Sequence, residues 1–532
     1  MTPVRTNHPA RPDTVVSGTP ALAEQGEASA PAPAPAPPEG RIRAGRLAGL
    51  SMPRAIWVIS WPILVQSVLT WLVGLTDTVL AAGISEPATD AIGGATYVMW
   101  FVALVVTAIG VGATALISRA VGSGRLAVAD AALGQTVLLA VVAGLVTGGL
   151  VAGAATPLAG MMSMGEEARR AFTVYLLITA FGVPVQAVLF VGIECARAAG
   201  DSRRPLRAMV LVNVVNIVAS WVLAGVDLTT TSVREGVAVT RTVLENPFGF
   251  EWGVAGIAVG TVLAEVAGLV MVLRLLASGR TGLRLRRRRL APHWHTLRRL
   301  VRVGLPNFLE TLGMWAGNFL IVLMVGWLAA EQSRAGHPQG LLGAHVVAIR
   351  IEAMSFLPGF AMGTAAAALA GQYLGAGSPR LATRAILACL AVSAGFMGVA
   401  GLLLVLVPVT ITGLLTSQPA HLELVPKLIF IAGIVQVPFA VSLVLRTALR
   451  GAGDVKVVMW LTWLTTYGVR LPLAYLGSGV DIPLPGGGVI PNPMPWDGGL
   501  PGLWVGLCAE IVVRAVAFGA RFLQGGWTTV RV

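Results

Sequence analysis

Apolar residues run in blocks of about 20 or more along nearly the whole chain after residue 54, and short polar stretches separate them. A helix needs roughly 20 such residues to cross a hydrocarbon core about 30 Å thick. The pattern predicts about twelve such helices, near 55–82, 92–118, 130–157, 172–195, 206–226, 253–275, 303–330, 343–371, 382–414, 427–448, 457–477 and 502–523. The fold class expected is therefore all-α and integral to a membrane.

The second half of the pattern repeats the first. Pro62, with Trp71 nine positions on, recurs as Pro306 with Trp315, an offset of 244. Gly122-Ser123-Gly124 recurs as Gly375-Ala376-Gly377, and Arg197-Ala198-Ala199-Gly200-Asp201 as Arg450-Gly451-Ala452-Gly453-Asp454, both at 253. The difference of nine falls on the polar stretch Glu331 to Gln339, read as a loop insertion. Duplicated helical halves are common in secondary transporters, where they rock about a central site. The expected organisation is a disordered tail over 1–50, a six-helix lobe over 51–277, a basic connector over 278–302 and a second six-helix lobe over 303–532.

Composition agrees: 55% of residues are apolar, 12% are charged and the mean hydropathy is +0.78. A net charge of +13 would suggest nucleic acid in a soluble chain, but its distribution here points to topology instead. If the first span runs outward, the five loops on its starting side hold 20 of the 38 Lys and Arg, against 6 in the opposite loops. Basic residues retained on the cytoplasmic side orient such proteins, so a multi-pass cell-membrane protein with both termini cytoplasmic is expected. The run Arg286 to Arg289 is read as a topology anchor and linker in preference to a dedicated lipid-headgroup site. The first 49 residues, rich in Pro, Ala, Gly and Glu, lack the apolar content to order themselves. Membrane lipid is an expected partner and nucleic acid is not. Cys195, Cys389 and Cys508 stand apart without metal-ligand spacing, and no phosphate-cradling glycine loop is present, so neither a metal nor another cofactor is expected.

An interior carboxylate costs several kcal/mol unless it is paired, protonated or facing a cavity, which makes such residues the first functional candidates. Asp77 lies inside the first span. In the second half Glu310 and Glu352 are candidates for binding a cation or proton, neither having a basic partner fixed by helical spacing. Glu510 and Arg514, four apart, suit an internal ion pair, as do Glu194 and Arg197; Glu265 either lines a cavity or contacts another helix. Most tryptophans read as interface anchors. Trp71 and Trp315, related by the repeat, are candidates for stacking on flat cations. Pro184, Pro358, Pro438 and Pro472 interrupt spans and permit kinks.

In order and spacing, several stretches resemble the multidrug and toxic compound extrusion, or MATE, family. They are Trp61-Pro62, Asp77 to Gly83, Ser118 to Gly124, Arg197 to Asp201 and Gly256 to Thr261 in the first half, and Gly304-Leu305-Pro306, Ala344 to Glu352, Leu369 to Gly377, Arg450 to Asp454 and Arg470-Leu471-Pro472 in the second. The resemblance implies two six-helix lobes forming a V-shaped cavity. It assigns proton or sodium coupling in the first lobe to Asp77 with Asn216 and Thr261. The family's pattern has an aspartate four residues after the asparagine, where this chain has Ser220. The loss of that acid ranks proton above sodium as coupling ion. Met314 stands where some members carry a glutamate, and span ten offers Gln436 and Arg446 without an acid.

The function these readings imply is secondary antiport, not enzyme catalysis: export of organic cations or drug-like small molecules in exchange for protons or sodium, by a chain able to act as a monomer. The alternative is a flippase for lipid-linked oligosaccharide or another lipid, of the same superfamily.

Overall fold

The computed structural model describes residues 42, 44–161, 164–234, 237–334, 340–416, 418–483 and 488–530. The first half consists of α1 (Met52–Ile84), α2 (Glu86–Gly122), α3 (Leu126–Met161), α4 (Glu166–Ala198), α5 (Arg203–Ala224), a hairpin of β1 (Leu228–Arg234) and β2 (Val237–Leu244), and α6 (Gly253–Ala277). The second consists of α7 (Trp294–Arg334), α8 (Leu341–Gly375), α9 (Pro379–Leu406), the short α10 (Pro408–Gly413), α11 (Pro419–Ile434), α12 (Gln436–Gly451), α13 (Val455–Thr465), α14 (Leu471–Ser478), the two-residue strands β3 (Ile482–Pro483) and β4 (Val489–Ile490), and α15 (Gly499–Gln524).

Among the described residues ten helices are each long and apolar enough to cross a membrane, and α11 with α12 make an eleventh crossing bent by 58°. The bend sits at Val435, just before Pro438, whose missing N–H cannot close the turn back to Ile434. The expected span over 457–477 is built as α13, one π-helical turn over Thr466–Arg470, and α14. Pro472 follows that turn, so here too a proline coincides with the interruption. Pro184 and Pro358 lie inside unbroken helices.

Four helices of the two halves end in one way. The N–H groups of Gly124, Gly200, Gly377 and Gly453 bond three residues back, and those of Arg125, Asp201, Ser378 and Asp454 bond five back, at 2.8–3.1 Å. This C-terminal motif needs a left-handed residue, and the four glycines have φ between 78° and 95°. All four turns lie on the face that carries the Arg-rich connector, called here the basic face.

At that face the halves interlock. Ile56 and Ile59 of α1 pack in the core of the second half with Leu369, Leu449 and Phe518, while Leu300 and Val303 of α7 pack in the core of the first with Ile117 and Leu189. The boundaries expected at 51 and 303 therefore do not separate the lobes physically: each half lends the first turns of its first helix to the other. Gln372 Nε2 donates to the Ala198 carbonyl at 2.8 Å, and Arg119 donates to the carbonyls of Ala452 at 2.8 Å and Val530 at 2.5 Å.

Most of the expected disordered tail, and part of the expected insertion at 331–339, lie outside the described residues. The end of the tail is packed: Leu47 is buried in the second half's core, and Arg46 pairs with Asp201 at 3.1 Å. The insertion begins as helix, since α7 continues to Arg334.

Candidate functional site

Asp77 sits in the last third of α1 and points into the first lobe, where 6% of its surface remains accessible. Four helices meet around it. Tyr175 of α4 donates its hydroxyl to Asp77 Oδ2 at 3.3 Å, and Thr261 of α6 approaches both carboxylate oxygens at 3.3 and 3.4 Å. Asn216 of α5 donates to Asp77 Oδ1 at 3.5 Å, to Thr261 Oγ1 at 3.0 Å and to Ser220 Oγ at 3.3 Å. All four expected first-lobe residues are thus assembled, Ser220 meeting the same Asn216 nitrogen that donates to Asp77. Ser220 Oγ itself donates to the Ile257 carbonyl at 3.3 Å. Close packing makes the convergence possible: Gly260 of α6 lies directly against the Ser220 backbone, where a side chain would not fit.

A cavity of about 210 Å³ opens beside Asp77, lined also by Thr70, Met99, Gln186, Phe190, Asn216 and Glu265. Glu265, one turn after Thr261, accepts from Gln186 Nε2 at 2.8 Å, so it both lines the cavity and contacts another helix. Two carboxyl groups therefore share one cavity, and the hydrogen-bond partners of both are neutral. Among the described residues neither carboxylate has an ion-pair partner, which suits a group that takes up a proton or a cation. The Asn216 amide oxygen is buried and, among the described residues, without a hydrogen-bond partner, a hard acceptor on the side chain whose nitrogen meets the carboxylate. Tyr175 escaped the sequence reading, because a single tyrosine on an apolar helix gives no signal until the helices are placed.

The second lobe overturns the premise on which Glu310 was singled out. Glu310 is fully buried and bound by two arginines: Arg446 Nε at 2.8 Å, and Arg450 through Nε at 2.9 Å and Nη2 at 2.7 Å, with the Thr462 hydroxyl at 2.8 Å. Both arginines come from α12, distant in sequence, so spacing along α7 could not reveal them. Glu352 is partly buried on α8 within electrostatic reach of Arg470. Glu510 pairs with Arg514, as spacing predicted, at 2.6 Å, and also with Arg470 at 3.0 Å. Glu194 and Arg197 pair as expected. Trp71 is 59% exposed and absent from the lining of the Asp77 cavity, although its neighbour Thr70 is there. Trp315 stacks on Phe319 with ring centroids 6.0 Å apart. The structure does not bring either tryptophan to the carboxylates.

The model of the MatE family matches residues 62–222 and again 306–476, beginning in each half at the proline that marks the repeat. The chain belongs to the MatE family. It is a membrane transporter and not an enzyme. Among its relatives is the probable multidrug resistance protein NorM of Thermotoga maritima, 26% identical over 475 residues, 88% of this chain and 92% of that protein. Another is the multidrug resistance protein PmpM of Pseudomonas aeruginosa, 24% identical over 429 residues, 79% of this chain and 83% of that one. The fold is similar to that of a MOP superfamily transporter from Pyrococcus furiosus, described as having a binding pocket of reverse polarity, with a TM-score of 0.76, 20% identity, and coverage of 91% of this chain and 98% of that one.

Proposed function

We propose that this MatE transporter is a secondary antiporter that exports drug-like organic cations in exchange for protons or sodium, with Asp77 as the coupling group. The observation that carries the reading is a buried carboxylate held by three neutral side chains from three other helices, beside a cavity it shares with Glu265. A carboxyl in that setting either holds a proton or accepts a cation in its place, and exchange needs one group serving both. The multidrug resistance named for the relatives NorM and PmpM supports efflux of foreign compounds. The proton is favoured over sodium, because Ser220 supplies a hydroxyl where a second carboxylate would be needed to hold a bare cation firmly.

The basic face is proposed to be cytoplasmic in the cell membrane, as the distribution of Lys and Arg suggests. The interlocked contacts there would then seal the cytoplasmic side, corresponding to an outward-open state. One chain supplies both lobes, so a monomer is proposed as the working unit.

The test is efflux of a cationic dye from proteoliposomes under a proton gradient or a sodium gradient, imposed separately. Response to the proton gradient, lost in Asp77→Asn protein that inserts normally, is the expected result. Unchanged gradient-driven efflux in Asp77→Asn would sink the assignment, and movement of a lipid-linked sugar in place of the dye would favour the flippase reading.

A further inference from the structure

The interior of the second lobe holds a surplus of guanidinium groups. Glu310 faces Arg446 and Arg450, and Glu510 faces Arg470 and Arg514. Glu352, near Arg470, is the remaining acid of this group, so four cations meet at most three anions. An unmatched charge at such depth is expensive.

The surplus is localised. Arg450 grips Glu310 with two nitrogens, and Arg470 is divided between Glu510 and Asn318 Oδ1 at 2.5 Å. Arg446 makes one bond to Glu310, while Arg514 touches Glu510 and the hydroxyls of Thr465 and Thr466. Each of these last two arginines then aims its Nη1 at the same atom, Met314 Sδ, at 3.5 Å from Arg446 and 3.8 Å from Arg514. A thioether is a weak acceptor, so two charged donors converge on a group that answers neither well. Paired guanidinium groups around one point match a carboxylate, whose two oxygens accept N–H bonds from both. Arg446 and Met314 are only partly buried, whereas Arg514, Glu310 and Arg450 are buried, so a ligand approaches from the Arg446 side and reaches Arg514 only past the Met314 side chain.

The geometry points to a subsite for an organic carboxylate in the second lobe, with Arg446 and Arg514 as donors and the flexible Met314 side chain moving aside. The proposal rests on the efflux reading for its meaning and deepens it. The preferred substrate carries a carboxylate, which the arginines of the second lobe bind.

The test is calorimetric binding to the full-length protein in nanodiscs, using a zwitterionic fluoroquinolone and its methyl ester, which keeps the amine and lacks the carboxylate. The acid is expected to bind about tenfold or more tightly than the ester, as the loss of a charged hydrogen bond implies, and Arg446→Gln is expected to bring the ratio near one. Because Arg446→Gln also strips Glu310 of a partner, Met314→Glu provides a second arm. It places a carboxylate between the two arginines from within, and is expected to raise the melting temperature while abolishing the preference for the acid. Equal binding of acid and ester to the unmodified protein, binding of neither, or a preference that survives Met314→Glu overturns the subsite. Gradient-driven efflux of a purely cationic dye reports on antiport separately: its failure with the acid preference intact removes the transport reading and leaves the subsite standing.

Discussion

Gln66 and Glu310 occupy the same position of the two repeats, and each is bound by the arginine that opens its own half's repeated turn. Arg197 donates to Gln66 Oε1 at 2.6 and 3.2 Å, and Arg450 donates to both oxygens of Glu310 at 2.7 and 2.9 Å. The geometry is shared and the charge is not. In the first lobe Glu194 supplies the anion for Arg197, and Gln66 adds a neutral bond. In the second lobe Glu310 is itself the anion, for two guanidiniums at once. Glu310→Gln should therefore destabilise by roughly 3–5 kcal/mol, the usual result of stripping a buried ion pair of one partner. Gln66→Ala should cost nearer 1 kcal/mol, on the order of one lost hydrogen bond. Thermal unfolding of the two variants in detergent checks the ordering, and equal losses would contradict it.

Gly122 and Gly375 make a second symmetric pair. A Cβ on Gly122 would collide with the Gln372 carbonyl oxygen, and one on Gly375 would collide with the Arg119 carbonyl oxygen. The halves touch backbone to backbone there, at the closed basic face. Gly122→Val or Gly375→Val cannot be accommodated without separating α2 from α8, at a cost of about 1–3 kcal/mol if the core resists. The expected outcome is a shift of the population toward opening of the basic face. Cysteine labelling at Ser118, which is inaccessible in this state, should become faster in either variant, and an unchanged rate would mean that the contact is not part of the seal.

How much of this was legible in the sequence depended on range. Helices, repeat and basic face followed from apolar runs, two shared offsets and the placement of arginines, all local or periodic signals. The pairs Glu510 with Arg514 and Glu194 with Arg197 were visible because helical spacing fixes them. Glu310 was misjudged because its partners lie 136 and 140 residues away, where only the packing of α7 against α12 decides. A further repeat anchor also went unseen. Asn246 donates its side-chain amide to the Trp221 carbonyl and its backbone N–H to the Asp227 carboxylate, and Asn492 does the same with Tyr475 and Asp481. The hairpins between each aspartate and asparagine differ in length, so a fixed offset could not align them.

Ser220→Asp tests why this chain should favour the proton. The new carboxylate would stand beside the Asn216 nitrogen that already meets Asp77, and would give the site a second negative charge. Without a cation the pair should be costly, since like charges in a low-dielectric site repel strongly. The variant is therefore expected to melt lower than the unmodified protein in potassium or choline buffer and to recover stability as sodium is added, because a ligand bound only by the folded state stabilises it in proportion to occupancy. The unmodified protein should show little sodium dependence. If both proteins respond to sodium alike, Ser220 is not what sets the choice of ion.

Glu265 offers the last comparison, since it shares the cavity with Asp77 but is held by a different partner. Gln186 donates to it at 2.8 Å, and among the described residues it makes no hydrogen bond with Asn216, Thr261 or Tyr175. If Asp77 is the coupling group and Glu265 only adds negative charge to the cavity wall, the two substitutions should separate. Asp77→Asn is expected to abolish proton-driven dye efflux while dye binding persists. Glu265→Gln is expected to weaken binding of a cationic dye several-fold, on the order of 1 kcal/mol for one partly screened charge, while efflux remains driven by the gradient at saturating dye. Binding titrations alongside efflux rates for both variants decide it, because a Glu265→Gln protein that binds normally yet cannot couple would move the coupling role from α1 to α6.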